Sequence, residues 1–403
     1  MLTRRGRLTL LFGVVLYVVA WALGSKALYP VAVGVVAVAL VAALWIRLAR
    51  RPVALAWGSR KKEHAEGEDV QVELTVALDD GALPMPAGVL VQRIRRLGTR
   101  VTPLERDGDR LRAQYVLERV PRGRYVVEDA RVVVEDPFGL ERLEVPLPGG
   151  AAILVYPRLV ELEGLFSDSG RVARDGARIL LHRPAGFDIH SVREYEQGDS
   201  LRRVHWPSTA KRGQLMIREL EDAPRDEVSV LLDASCPSAG DPPQSSFDVQ
   251  VRAAGSLLLA QVSRGKRALL AVTGDSLQLA RVSGADGDWL GALELLAAAE
   301  AGGRLGAAAA LAEGSPVAGP RETVVVTAQL TPALVDRLVQ RVTAQRRVSV
   351  VYVDTHSFAG NENGKEPGLL RLQAAGVPVA VLHRGDDLAA ALGDRPIRAA
   401  ANA

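Results

Sequence analysis

Two apolar runs near the amino terminus constrain this chain more than anything that follows them. LTLLFGVVLYVVAWAL covers residues 8–23 and ALYPVAVGVVAVALVAALWI covers 27–46, and between Leu8 and Trp45 the only charged side chain is Lys26. A helix rising about 1.5 Å per residue needs roughly 20 apolar residues to cross the hydrocarbon of a bilayer. The second run has that length and the first approaches it. The pattern predicts two transmembrane helices, about 7–24 and 27–46, forming a hairpin within residues 1–50. A single long buried helix is disfavoured because Gly24, Ser25 and Pro30 interrupt the pattern. A cleaved signal peptide is disfavoured because a second apolar segment follows at once, without a small-x-small cleavage site between them. Arg4, Arg5 and Arg7 precede the first run; Arg47, Arg50, Arg51, Arg60, Lys61 and Lys62 follow the second. This bias predicts a multi-pass protein of the cell membrane with both termini cytoplasmic.

Beyond the hairpin the periodicity changes. DVQVELTVAL alternates apolar and polar residues, and GVLVQRI, LRAQYVLERV, GRYVVEDARVVVE and AAILVYP follow between clusters of turn residues. Short strands at this spacing predict a small all-β sandwich over residues 51–157. Asp136-Pro137-Phe138-Gly139 is turn chemistry, with Phe138 expected to plug the end of the sandwich. From residue 226 strands alternate with helical patterns. EVSVLLD, RALLAVT, LQLARVS, ETVVVT and RVSVVYVD read as strands, and the helix after EVSVLLD has Ser245 or Ser246 as its N-cap and Gly265 past its end. The alternation predicts a Rossmann-like α/β domain over 226–392, with a mostly parallel sheet covered on both faces and a tail at 393–403.

Residues 158–225 join the two β-containing domains and hold the densest charge pattern, REYEQGDSLRRVHWPSTAKRGQLMIRELE. From Arg171 to Arg225 there are 11 Lys and Arg against 8 Asp and Glu, and the whole chain carries 50 − 47 = +3. Phosphate binding needs a net positive face, and single-strand stacking needs several aromatics. Near balance and one Trp argue against a nucleic-acid partner. His182, His190 and His205 have no zinc spacing. Glu194, Glu196 and Asp199 could serve as general acids or bases, but Arg193, Arg202 and Arg203 beside them favour ion pairing. The lone cysteine, Cys236, excludes an internal disulfide and reads as a small core or loop residue. The preferred reading is an interdomain clasp. Gly198-Asp199 marks a bend, Asp199 accepts hydrogen bonds there, Ser208–Lys211 forms a helical turn, and Gln214–Glu219 forms a strand. Trp206 buries its ring, and Arg and Trp anchors offer a face to a protein partner.

The pattern R-x-Y-x-x-G-D-x-x-R-x-V-x-W-x-x-T-A-K-x-x-x-L-x-x-R-x-x-E, from Arg193 to Glu221, resembles the signature of the bacterial domain-of-unknown-function family fifty-eight. Its positions Arg193, Tyr195, Gly198, Asp199, Arg202, Trp206, Lys211, Arg218 and Glu221 are the candidate partner-binding residues. The resemblance implies a carboxy-terminal domain similar to von Willebrand factor type A, and a MoxR-type AAA+ ATPase as partner. The resemblance also implies a type A ion site for Mg²⁺, built from Asp-x-Ser-x-Ser, a Thr and a later Asp, hard oxygen donors that suit this ion. Here Asp233 and Ser235 match and Pro237 replaces the second Ser. Arg304 stands where the Thr would fall, and Ala328-Gln329 follow the strand that should precede the last Asp. The expectation is no metal and no cofactor, with the Arg304 guanidinium paired to Asp233 in place of an ion. The function expected is a membrane-anchored scaffold or adaptor and not an enzyme. The alternative is a hydrolase or transferase with its site in residues 193–221.

Overall fold

The computed structural model describes residues 2–59, 64–80, 83–108, 110–148, 152–168, 189–194, 206–220, 227–283, 286–360 and 366–393. The chain divides into two compact units, Met1–Tyr156 and Pro157–Ala403.

The first unit begins with helices α1 (Arg4–Ala22) and α2 (Leu28–Leu48), both long and apolar enough to cross a membrane. Gly24 ends the first in the left-handed region, at φ +61. Small residues let the helices approach: a Cβ on Gly13 would lie 2.7 Å from Val36 Cγ2, and Ala20, Ala32, Ala39 and Ala42 are buried. Their outer surfaces carry exposed Leu11, Phe12, Trp21, Leu40 and Val41. Only 17% and 22% of the two apolar windows are buried. A soluble core helix hides its apolar side chains, whereas a helix apolar all round suits a lipid solvent.

The β domain of this unit holds β1 (Pro52–Ser59), β2 (His64–Ala65), β3 (Val70–Leu78), β4 (Gly88–Ile94) and β5 (Gly98–Pro103). It continues with β6 (Glu105–Asp107), β7 (Arg110–Leu117), β8 (Gly123–Glu135), β9 (Arg142–Leu147) and β10 (Ala152–Tyr156). One sheet runs β1-β3-β7-β6 and the other β2-β10-β8-β4-β5, with β9 on β8. Alternation along β3 sends Val70, Val72, Leu74 and Val76 into a cluster shared with Leu90 and Ile94 of β4 and Val127, Ala130, Val132 and Val134 of β8. Ile46 of α2 joins the same cluster. Phe138 does not plug the domain: its side chain is 65% exposed. The turn that carries it is held by the Asp136 carboxylate, which accepts from the N–H of Phe138 at 2.8 Å and of Glu141 at 2.5 Å.

In the second unit β11 (Ile189–Glu194) pairs antiparallel with β12 (Met216–Leu220), and α3 (Trp206–Arg212) lies between them in sequence. An open six-stranded sheet follows. Its strands are β13 (Glu227–Leu232), β14 (Arg267–Val272), β15 (Gln278–Val282), β16 (Glu322–Thr327), β17 (Arg347–Val353) and β18 (Val379–Leu382), in the order β15-β14-β13-β16-β17-β18. Only the β14–β15 pair is antiparallel. Helices α4 (Ser246–Ser263), α5 (Asp286–Ala298), α6 (Ala307–Ala310), α7 (Pro332–Thr343), α8 (Thr355–Phe358), α9 (Pro367–Ala374) and α10 (Leu388–Leu392) complete it. Val228, Val230 and Leu232 pack with α4, α5 and α10, while Leu231 packs with α6, α7 and α9. Ser245 caps α4 by accepting from the Asp248 N–H at 3.2 Å. Residues 158–168, where the sequence reading starts the clasp, pack along α4. Leu165 is buried, the Val160 N–H donates to Ser256 Oγ at 2.9 Å, and Arg264 pairs with Asp168 at 2.9 Å.

Candidate functional site

The strand order reverses between β13 and β16, and in open α/β sheets the crevice outside the carboxyl ends at such a reversal is where ligands bind. Asp233 sits at this point, one residue past β13, with its N–H on Val326 O at 2.8 Å. Its side chain is 3% exposed. Oδ1 accepts from Ser235 Oγ at 2.7 Å, from the Ser235 N–H at 3.2 Å and from Thr273 Oγ1 at 3.3 Å. Oδ2 lies 2.8 Å from Thr327 Oγ1. The ends of three adjacent strands thus bring one carboxylate and two threonine hydroxyls together, and the turn after β13 adds the serine. A buried carboxylate needs its lone pairs satisfied, and here neutral donors do so.

The crossing loop closes over this cluster by backbone contact. Gly302 and Gly303 donate to Ala234 O at 2.8 and 3.0 Å, and the Leu305 N–H donates to Gly274 O at 2.8 Å. A Cβ on Gly303 would come within 2.3 Å of Gly274 Cα, so no side chain fits there. Arg304 points its charge elsewhere. Its side chain is 90% exposed and its Nε lies 3.5 Å from Asp275 Oδ1. The expected Arg304–Asp233 pair is therefore corrected: the position beside Asp233 belongs to Thr273 and Thr327. Sequence reasoning missed both threonines because it looked for one Thr in the 302–306 loop, whereas each ends a strand one residue past or at its last ladder position.

Mg²⁺ takes near-octahedral oxygen coordination from one or two carboxylates and several waters, so the donors here are of the right kind but few. Asp233 supplies one carboxylate, its oxygens are already engaged, and Pro237 has no hydroxyl. Among the described residues no group of three or more His, Cys, Asp or Glu converges to hold a metal. Cys236 beside it donates Sγ–H to Gln329 Oε1 at 3.2 Å. Burial, reinforced by the Asp233 charge and opposed by the Ser235 hydrogen bond, pushes its thiol up to about 11, far from the range of a reactive thiolate.

A second polar group lies at the same sheet edge. Asp354 follows β17, caps α8 through the His356 N–H at 3.0 Å, and stands 3.3 Å from His356 Nδ1 and 3.9 Å from His383 Nε2. The sequence reading singled out neither histidine. Their signal was the Asp354-Thr355-His356 stretch directly after an apolar strand.

Of the signature residues, Tyr195, Gly198, Asp199, Arg202 and Glu221 lie outside the described residues, as do Glu196, Arg203, His182 and His205. Arg193 falls in β11 opposite Ile217, Arg218 falls in β12 opposite Val192, and Trp206 starts α3. Lys211 is exposed in the last turn of α3. The Met216 N–H donates to Thr209 Oγ1 at 3.0 Å, tying α3 to β12, and Gly213 makes the turn at φ +69. The expected helical turn and strand are present at these positions.

Residues 191–357 match the family model described as "Protein of unknown function DUF58". Over 221 residues the chain is 28% identical to the "Uncharacterized protein YeaD" of Bacillus subtilis (strain 168), covering 54% of this chain and 53% of that protein. The chain thus spans about half the length of this curated relative. Among solved structures, Cwp6 from Clostridium difficile aligns over 83% of this chain and 38% of its own at 8% identity and a TM-score of 0.18. A Paenibacillus sp. cycloisomaltooligosaccharide glucanotransferase aligns over 76% and 45% at 10% identity and a TM-score of 0.17. Neither structural likeness carries an argument. From β11 to α8, the stretch that holds both the β11–β12 ladder and the hydroxyl-bound Asp233, this chain is similar to the DUF58 family of unknown function.

Proposed function

We propose that the chain is a membrane-anchored cytoplasmic scaffold or adaptor that works with a MoxR-type AAA+ ATPase in the assembly or maturation of client proteins. The observation that carries this reading is the state of the sheet's ligand position. Asp233, placed where type A relatives would engage an ion, is enclosed by the hydroxyls of Ser235, Thr273 and Thr327. A carboxylate so satisfied is a structural element, and the unit is then an α/β fold of the von Willebrand factor A kind used for its surfaces. The ten-stranded β domain is read as a sandwich, and α1 and α2 as a hairpin whose flanking arginines keep both ends in the cytoplasm. The partner face is assigned to the signature, where exposed Lys211 on α3 gives an accessible point.

A photo-crosslinking residue at Lys211 of the full chain in its native membrane tests this. Recovery of a MoxR-type ATPase from position 211, and not from exposed Arg304, is the expected result. Equal yields from both positions, or no ATPase from position 211, would contradict the proposal.

A further inference from the structure

The turn Asp136–Glu141 is fastened to the start of α1 and packs against the sides of both apolar helices. The Thr3 N–H donates to Leu140 O at 2.9 Å, and Thr3 Oγ1 donates to Gly139 O at 2.7 Å. A Cβ on Gly6 would come within 2.1 Å of Leu140 O, so only glycine admits this approach. The Leu140 side chain is 6% exposed and clusters with Leu10 of α1 and Ala39 and Ala42 of α2. At about 1.5 Å per residue, Leu10 lies roughly 9 Å along the axis from Arg4, and Ala42 the same from Leu48. The apolar run at residues 8–23 spans about 24 Å, short of a hydrocarbon layer of about 30 Å, so the helix has no length to spare. Its charged start and the end of α2 then mark the boundary, and Leu140 lies inside it.

Phe138 belongs to the same turn. The Asp136 bonds to the amides of Phe138 and Glu141, and the Gly139 N–H on Asp136 O at 2.9 Å, hold it in the same tied turn as Leu140, two residues away. It is the exposed aromatic of a well-tied turn, which in water would leave a large apolar face uncovered. Aromatic side chains gather at the membrane–water boundary, where one medium covers the ring. Exposed Arg4, Arg5 and Arg7 lie in the first turn of α1, around the Thr3 and Gly6 that this loop contacts, and complement phospholipid phosphates. A second attachment repeats the arrangement at α2. The Arg50 N–H donates to Leu83 O at 2.9 Å, the Leu83 N–H to Leu48 O at 3.1 Å, and Trp45 Nε1 to Pro84 O at 3.2 Å.

We propose that the turn Asp136–Glu141 is a lipid-inserted anchor of the β domain, with Phe138 in the boundary layer of the leaflet where α1 starts and α2 ends. The inference rests on the membrane-spanning reading of α1 and α2. It makes the β domain a body held at fixed height and orientation on the bilayer, and not one hanging from a tether.

The test is nitroxide depth measurement on the full chain in anionic phospholipid nanodiscs, in a Cys236→Ala background, with labels at Phe138→Cys, Leu44→Cys and Arg304→Cys in turn. The expected result is that the label at 138 loses collisions with a water-soluble nickel chelate and gains them with oxygen, as at 44 and unlike 304. A label at 138 that reads like 304 while 44 reads lipid overturns the anchor and leaves the hairpin standing. If 44 also reads water, the membrane-spanning reading fails and the anchor with it. Unlabelled variants guard against a disturbed turn. Phe138→Asp should speed amide exchange at residues 138 and 141 in nanodiscs while Phe138→Leu does not, and equal exchange in both variants would overturn the anchor.

Discussion

Two buried aspartates, one in each unit, accept from neutral protein donors in opposite ways. Asp136 accepts from amides two and five residues ahead of it, so its whole environment is one turn. Asp233 accepts from Thr273 and Thr327, 40 and 94 residues away, and so needs three strands in register before its partners exist. The first carboxylate builds local backbone, and the second closes a tertiary junction. The difference separates what substitution should do: loss of Asp136 should release a loop, and loss of Asp233 should loosen a domain.

The largest effect is expected from Asp233→Ala. Removing one partner strands buried donors at a cost of about 1–3 kcal/mol each where no substitute acceptor exists. Thr327 can turn to Gln329 O at 2.9 Å, so the net loss for the α/β unit is about 2–4 kcal/mol, seen as a lowered thermal midpoint. A midpoint within experimental scatter of the parent would erase the distinction between the two aspartates. Asp136→Ala comes next, at about 1–2 kcal/mol, confined to its turn. Hydrogen exchange should show faster amides at Phe138 and Glu141 with protection in β13 and β16 unchanged; global loss of protection would contradict a local role. Arg304→Ala is the smallest. Its ion pair with Asp275 is exposed on both sides, so stability should stay within about 0.5 kcal/mol of the parent by the same thermal measurement. A loss matching that of Asp233→Ala would restore the Arg304–Asp233 pair that the geometry replaces.

The same contrast explains what could be read from the amino-acid order. The Asp136–Gly139 turn is legible because its chemistry lies within a few residues, as does the cap of α4 at Ser245. The exposure of Phe138 is not legible, because the turn packs Leu140, and not Phe138, against α1 and α2. β1, PVALAWGS, is not legible as a strand, since it abuts an apolar helix and shows no clean alternation. At the candidate site, Asp233 and Ser235 were found by spacing within one turn. Thr273 and Thr327 were not, because their meeting depends on strand order, which no local pattern encodes. The Asp354, His356 and His383 group joins the ends of β17 and β18 and was hidden for the same reason.

The account turns on Asp233 being satisfied by protein hydroxyls and not by an ion. Isothermal calorimetry of the full chain in detergent, titrated with Mg²⁺ and then Mn²⁺, tests this most directly. The account predicts no saturable heat in the micromolar range and identical traces for the parent and Asp233→Ala. Micromolar binding in the parent that disappears in Asp233→Ala would contradict it.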